Sequence, residues 1–449
     1  MKKLLALLVV LALTLSIVGC GQKDETPDPA PAPAPGEPAP GPVEIDEDIE
    51  IRFSWWGGDS RHEATQAVID LFMEANPNIT VVPEFTAWTG HFERIAAQLT
   101  ARDEADLMQI NFNWFYGFSP EGDGFYDLRQ LGNIDLNNWP AETLAPITIN
   151  GKVQGVPTSI GARLYYVNHT PFEQAGIEVP TTWDGLMEAG RVFKEKLGPD
   201  YYPLGNIGYT DALQLMMWSY LAQLTGKDIF DGNQLAYTEE ELITAFEFVQ
   251  ELVDNNVIPG FHDDSAEKNH ENPNWIDGRY AAVFQWNSGI QRDVNNLNPA
   301  INPDVRPVPW FTMDGAKHTG VFSKILMAFS VSVNSEHPEA AAKLLNFMYT
   351  DKDAVLAHGL ERAIPLNRVA LDILDEAGML EGLAWEGHLM VSETDGYTFH
   401  PFFEDTTVRK VPNDAIEEFL FAEGGITPQQ AARMILDTFD RTVAEAMEN

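Results

Sequence analysis

Three short stretches set an indole beside side chains that donate and accept hydrogen bonds: Trp55-Trp56-Gly57-Gly58-Asp59, Ala87-Trp88-Thr89-Gly90 and Asn111-Phe112-Asn113-Trp114. That pairing has a definite chemistry. A pyranose ring presents an apolar C–H face that packs on an aromatic plane, while its equatorial hydroxyls need donors and acceptors around the ring's edge. Asp59 can accept two hydroxyl hydrogens, Arg61 can donate, and Asn111 and Asn113 can do both. Gln285-Trp286-Asn287 repeats the pairing of indole and amide, and Tyr166, Trp218 and Trp310 are further aromatic candidates. Each has a plainer reading. Trp218 stands among Leu215, Met216 and Leu221 at helical spacing, which suits burial as well. Asp59 can cap a helix beside Ser60, and Arg61 and His62 fit a solvated first helical turn.

Catalytic patterns are missing. His62-Glu63-Ala64-Thr65-Gln66 begins like the zinc-protease HExxH but has Gln66 where the second histidine must stand. Neither a P-loop nor a G-x-S-x-G elbow occurs. Asp231-Gly232-Asn233 and Glu121-Gly122-Asp123 are acidic turns that could bind calcium, although ordinary loops contain such turns too. No metal or other cofactor is expected. Lys and Arg number 28 against 68 Asp and Glu, a net charge of −40. A surface that acidic repels phosphate backbones, which argues against nucleic acid as a partner.

The elements that must carry these residues follow from periodicity. Ile49, Ile51, Phe53 and Trp55 alternate with polar residues, so a strand puts them on one face and Trp56 on the other. Ser60 and Glu63 have capping-box spacing, and Ala64, Ala67, Val68, Leu71, Phe72 and Ala75 predict a helix that Asn76-Pro77 stops. A second strand over Ile79–Phe85, a second helix marked by Phe92, Ile95, Ala96 and Leu99, and a third apolar run at Asp106–Ile110 complete a βαβαβ order. That order predicts a parallel sheet covered by helices. In open sheets of this kind ligands bind outside the carboxyl ends of the strands. All three indole-bearing stretches fall there. Any one tryptophan is ordinarily packing, but three at equivalent positions point to a shared surface.

The N-terminus reads separately. Lys2-Lys3, the apolar run Leu4–Leu15 and Gly19-Cys20 predict a signal peptide over 1–19. Cys20, the chain's single cysteine, rules out an internal disulfide, and the segment resembles a bacterial lipobox, which implies a lipidated Cys20 as the mature N-terminus. The Pro/Ala-rich tract that follows, to about residue 44, predicts an extended tether of roughly 60 Å.

Farther along, Tyr166-Val-Asn168 leads into Phe172-Glu-Gln-Ala175-Gly176-Ile177-Glu-Val-Pro180-Thr-Thr182-Trp183-Asp184, followed by Trp275-Ile-Asp-Gly278-Arg-Tyr-Ala281-Ala-Val283 and Val331-Ser-Val-Asn334-Ser335-Glu-His-Pro338-Glu-Ala340-Ala341. Arg362-Ala-Ile364-Pro365-Leu-Asn367 and Ile426-Thr427-Pro428 come later. In that order these segments resemble the carbohydrate-binding group of extracellular solute-binding proteins of bacterial ABC importers, the group that includes maltose-binding protein. The resemblance spans essentially the whole mature chain. It implies an α/β fold of two lobes with a ligand cleft between them and hinge closure. Placed on this chain, lobe one takes 45–160 plus 322–366 and lobe two takes 161–321 plus 367–449. It also implies a non-enzymatic, monomeric, extracytoplasmic receptor, lipid-anchored to the membrane, that delivers an oligosaccharide to permease subunits.

Two alternatives stand beside that reading. One is a lipid-anchored glycoside hydrolase, which needs two carboxylates flanking a sugar cleft. The other keeps the fold but binds a polyamine or a metal. On the receptor reading Trp56 faces ligand, and Trp56→Ala should weaken sugar binding with little loss of stability.

Overall fold

Alternating apolar residues make Ile49–Trp56 a strand, β1, whose Ile51, Phe53 and Trp55 enter one core while Trp56 enters another. The computed structural model describes residues 40–205, 209–260, 269–420 and 425–448. The expected signal peptide, Cys20 and the tether as far as residue 39 lie outside them. Helix α1 (Asp59–Ala75) turns Val68, Ile69 and Phe72 onto the Trp55 side of the sheet. Its N-cap is Gly58, with no side-chain cap. The expected capping box does not form, because the helix begins one residue before Ser60, whose hydroxyl instead donates to Glu361 Oε2, 2.9 Å away. At the other end Asn76 closes the helix by donating its side-chain amide to the Phe72 carbonyl at 2.9 Å.

Strand β2 (Ile79–Thr86), helix α2 (His91–Ala101) and strand β3 (Leu107–Asn111) follow, and β1 pairs in parallel with both strands. Continuing along the chain are β4 (Val156–Pro157), β5 (Ile160–Asn168), β6 (Ala282–Trp286), β7 (Val305–Val308), β8 (Phe322–Ile325), β9 (Met327–Val331) and β10 (Tyr397–Thr398). They form two five-membered groupings. The first sheet runs β2-β1-β3-β9-β4, with β9 antiparallel to both neighbours. The second runs β6-β5-β8-β10, and β7 pairs with the far end of β5.

Each sheet anchors a lobe, and the chain crosses between them three times. Pro157 ends β4 and Ile160 begins β5, so Thr158 and Ser159 form the first crossing. Leu326 alone separates β8 from β9 and forms the second, and its N–H donates to the Ser159 carbonyl at 3.0 Å. The third follows the helix Arg368–Glu376, which buries Ala370 and Leu374 in the core of the first lobe. Two boundaries therefore differ from expectation. Residues 322–325 pair with β5 and β10 and belong to the second lobe, and the apolar face of Arg368–Glu376 carries the first lobe past residue 366.

The first sheet is buried on both faces, as sheets built from parallel strands generally are. The second lobe centres on the helix Tyr209–Thr225, in which Ala212, Leu213, Met216, Met217, Trp218 and Leu221 are all fully buried. A helix apolar on every side belongs in the middle of a core. Among the described residues no helix is long and apolar enough to cross a membrane.

Candidate ligand-binding site

At the exit of β1 the chain turns through Gly57, and a Cβ there would stand 2.6 Å from Cδ of Arg61. The close approach lets Arg61 fold back over the turn. Its Nη1 donates to the Trp56 carbonyl at 3.3 Å, and its Nε and Nη2 donate to the Glu361 carbonyl at 3.0 and 2.8 Å. Arg61 thus holds the strand exit against the loop around Glu361, and its guanidinium is committed to backbone rather than offered to a ligand. Asp59 is exposed in the first turn of α1.

The three expected indoles do meet. Trp56 lies 5.2 Å from Trp114 and 5.3 Å from Trp88 between ring centroids, and Trp88 stacks on Trp114 at 5.4 Å with planes 17° apart. Trp88 is carried by the turn at Thr89-Gly90, where Gly90 adopts φ 83° as the N-cap of α2. It is 53% exposed, whereas Trp56 and Trp114 are 6% and 7% exposed. Only Trp88 of the three offers a broad free face. Beneath them His91 is fully buried, 5.3 Å from Trp56, with Nδ1 2.6 Å from the Thr86 hydroxyl. Burial, and secondarily the positive Arg94, pull its pKa down to about 4. Phe92, exposed beside Trp114 at 5.3 Å, continues the aromatic surface. Asn111 and Asn113, both half-buried, are joined by a 2.5 Å hydrogen bond from Nδ2 of Asn111 to Oδ1 of Asn113.

Trp55 is a correction. It points to the opposite face, fully buried against Phe53 and Phe85, and donates its indole N–H to His62 Nδ1 at 3.1 Å. The alternation that sends Trp56 one way sends Trp55 into the first-lobe core.

The turn Phe112–Trp114 lies against the turn Pro401–Glu404 of the second lobe, so the aromatic surface borders the junction of the lobes. Across that junction β6 ends in half-buried Trp286. Lys324 Nζ sits 4.9 Å over the Trp286 ring and pairs with Glu404. Arg163 Cζ is 5.7 Å from the same ring. Its Nη1 donates to the Phe284 carbonyl at 2.9 Å, and it forms no ion pair among the described residues. Burial lowers its pKa to about 10, with Asp211 pulling the other way and Arg409 adding to the fall. Arg409 itself reaches Asp211 at 3.5 Å. An indole flanked by two cations, one with Asp211, Asp293 and Glu404 nearby but none of them in an ion pair with it among the described residues, can stack a ring and pair a carboxylate on it.

The remaining candidates are wholly or partly buried. Trp218 is fully buried and stacks on Tyr237 at 5.7 Å in the second-lobe core. Tyr166 is fully buried too, because Gly387 of the helix Gly382–Ser392 closes over it: a Cβ at Gly387 would lie 2.4 Å from the Tyr166 oxygen. Trp310 packs against both second-lobe clusters and donates its indole N–H to the Arg163 carbonyl at 3.1 Å. Asn287 is buried beside the crossings, with its backbone N–H on the Ala162 carbonyl at 3.1 Å and its side chain on the Ile160 carbonyl at 3.4 Å. His91, Arg163, Lys324 and Glu404 were not anticipated. Arg163 in Ile160–Asn168 does carry a signal, a lone cation inside a mostly apolar strand. Among the described residues no group of three or more His, Cys, Asp or Glu could hold a metal ion.

Residues 58–355 match the family described as bacterial extracellular solute-binding protein. The chain belongs to that family. This solute-binding protein also resembles, at 34% identity and a TM-score of 0.77, a periplasmic oligogalacturonide-binding protein from Yersinia enterocolitica solved with saturated digalacturonic acid; the match covers 89% of this chain and 99% of that one. A solved chain described as a de novo designed esterase is 33% identical with a TM-score of 0.83, covering 89% and 100% of the two chains. A multiple sugar-binding protein of Streptococcus mutans is 24% identical over 63% of this solute-binding protein and 67% of its own length.

Proposed function

We propose that this solute-binding protein is the receptor of an ABC importer for an oligosaccharide whose sugar rings carry carboxylates. The observation that carries the proposal is Arg163, a half-buried guanidinium without an ion pair among the described residues, set beside Trp286 near the junction of the lobes. A cation removed from water without a counter-ion is destabilising unless something anionic arrives. The surrounding protein is strongly acidic, so a pair of cations retained at the junction has a local purpose. A neutral sugar would use the indoles and leave Arg163 unpaired, and a polyamine would be repelled by it. The digalacturonate ligand of the Yersinia protein is a sugar of the proposed kind. Trp88 on one lobe and Trp286 on the other would enclose a ring when the lobes close about Thr158-Ser159 and Leu326, so part of the binding energy drives closure. On this reading Trp88, Trp56, Trp114, Asn111 and Asn113 line the first-lobe half of the site. The receptor catalyses nothing, acts as a monomer outside the cytoplasm, and is held to the membrane through acylated Cys20.

The test is calorimetric titration with di- and trigalacturonate, with cellobiose, a neutral galactose disaccharide, spermidine and calcium as comparators. Chromatography of the titrated sugar accompanies it. Saturable binding of the uronates alone, with no cleavage product, is expected. Tighter binding of a neutral sugar would overturn the acidic cargo, cleavage would install the hydrolase, and binding of spermidine or calcium alone would replace the ligand class.

A further inference from the structure

Behind the Trp56 exit the first lobe buries a second guanidinium. Arg362 is 3% exposed. Its Nε donates to Gln109 Oε1 at 2.7 Å and its Nη1 to Thr65 Oγ1 at 3.0 Å and to His358, while Cζ lies 5.2 Å from the Phe329 ring centroid. Every one of these partners is uncharged. His358 is itself kept neutral, since burial and then the nearby Arg362 and Arg61 hold its pKa well below the usual histidine range. The Nη2 of Arg362 has no hydrogen-bond partner among the described residues. The hydroxyl of Tyr349, a residue 3% exposed, is also buried without one.

Arg362 and Tyr349 line one small cavity, together with His358, Thr158 and Gly359, and its volume is about 10 Å³. A cavity of that size has room for a guest about as large as a water molecule. Its polar lining offers donors and a positive charge. A water molecule would satisfy the hydrogen bonds but leave the guanidinium charge without an anion in a buried site, where that omission is costly. A monatomic anion satisfies both requirements at once.

We infer that the cavity bounded by Arg362, Tyr349 and His358 is a halide-binding site, occupied by chloride in the working protein. The anion accepts from Nη2 of Arg362 and from the Tyr349 hydroxyl. It stabilises the orientation in which Arg362 holds Gln109, whose amide donates to the Trp56 carbonyl at 3.4 Å. Thr158, at the first crossing, forms part of the same wall, and its carbonyl accepts from the Leu366 N–H at 3.0 Å.

The test replaces chloride by gluconate, which is too large for the cavity, at constant ionic strength. The Tm of the purified protein should rise with chloride to a plateau a few degrees higher, and bromide should reproduce the rise. Crystals soaked in bromide should give an anomalous peak between Arg362 and Tyr349. Arg362→Gln should abolish the chloride response. Should that variant fail to fold, Tyr349→Phe should shift the chloride midpoint about tenfold upward by deleting one donor. Equal Tm values in chloride and gluconate, or a bromide-soaked crystal with no peak in the cavity, would overturn the site in favour of a neutral guest.

Discussion

Trp88 stacks on Trp114 with ring centroids 5.4 Å apart, one ring open to solvent and the other almost wholly covered. The pair separates two roles that tryptophan combines, since the outer ring can lose its side chain without opening a cavity. Trp88→Ala should weaken oligosaccharide binding about tenfold, ~1.4 kcal/mol, and leave the unfolding midpoint nearly unchanged. Trp56→Ala should lower stability by about 3–5 kcal/mol because its ring is packed on the second face of the sheet. This replaces the expectation that Trp56 could be removed cheaply. Chemical denaturation and calorimetry on the two variants separate the effects.

Arg163→Gln keeps a donor but removes the charge. Binding of digalacturonate should weaken at least tenfold, the scale of a lost hydrogen bond to a charged group, while any residual affinity for a neutral disaccharide stays put. Wild-type affinity for the acidic sugar should also fall as salt rises, and the variant's salt slope should be shallower. Equal losses for acidic and neutral sugars would detach Arg163 from carboxylate recognition.

Glu404 competes for Lys324 at the lobe junction. A cargo carboxylate approaching Trp286 meets that glutamate as well as the two cations. Glu404→Gln should therefore tighten uronate binding several-fold, with no comparable gain for a neutral sugar, in parallel titrations.

Trp218→Ala should destabilise the protein by about 3–5 kcal/mol, because the side chain is fully buried against Tyr237. At a temperature where the variant remains folded its oligosaccharide affinity should match wild type. An unchanged denaturation midpoint would contradict the buried placement.

Acid should unfold the protein through its histidines. Burial brings His91, His388 and His400 to about 4 in the folded state, against about 6.5 for an unfolded chain. A depressed pKa contributes stability that is complete above the unfolded value and lost as pH falls toward the folded one. The Tm should decline between about pH 6.5 and pH 4, and His91→Asn should make the decline shallower. A Tm that holds level across that window would exclude these groups as its cause.

The fold's first half is readable because β1, α1, β2 and α2 announce themselves by period, and the strand exits could be named from local sequence alone. Which indole would be exposed could not. Trp55 and Trp56 are distinguished by the pleat, but that Trp56 would itself be covered depends on Trp88, His91 and Trp114 arriving from three other segments. The cationic half of the junction was hidden for a similar reason. Arg163 and Lys324 lie on different strands, and their common neighbour Trp286 lies on a third. Only pairing of β5 with β6 and β8 brings them together. The capping-box spacing at Ser60 misled because the helix starts earlier, with Gly58 as its N-cap, leaving Ser60 inside the first turn and free to bond Glu361.

The position of β9 has a consequence for how the molecule is made. This strand is interior to the first sheet, wedged between β3 and β4, yet Ser332 just beyond it bonds to Glu104 across 228 residues of chain. All of the second lobe's sheet except β10 is laid down in the interval. During vectorial emergence from a ribosome or a translocation pore, β1, β2 and β3 must wait with one edge unpaired until that intervening lobe has appeared. Assembly of the first lobe is therefore a late, high-contact-order event, and the waiting edge is where the nascent chain is most open to mispairing.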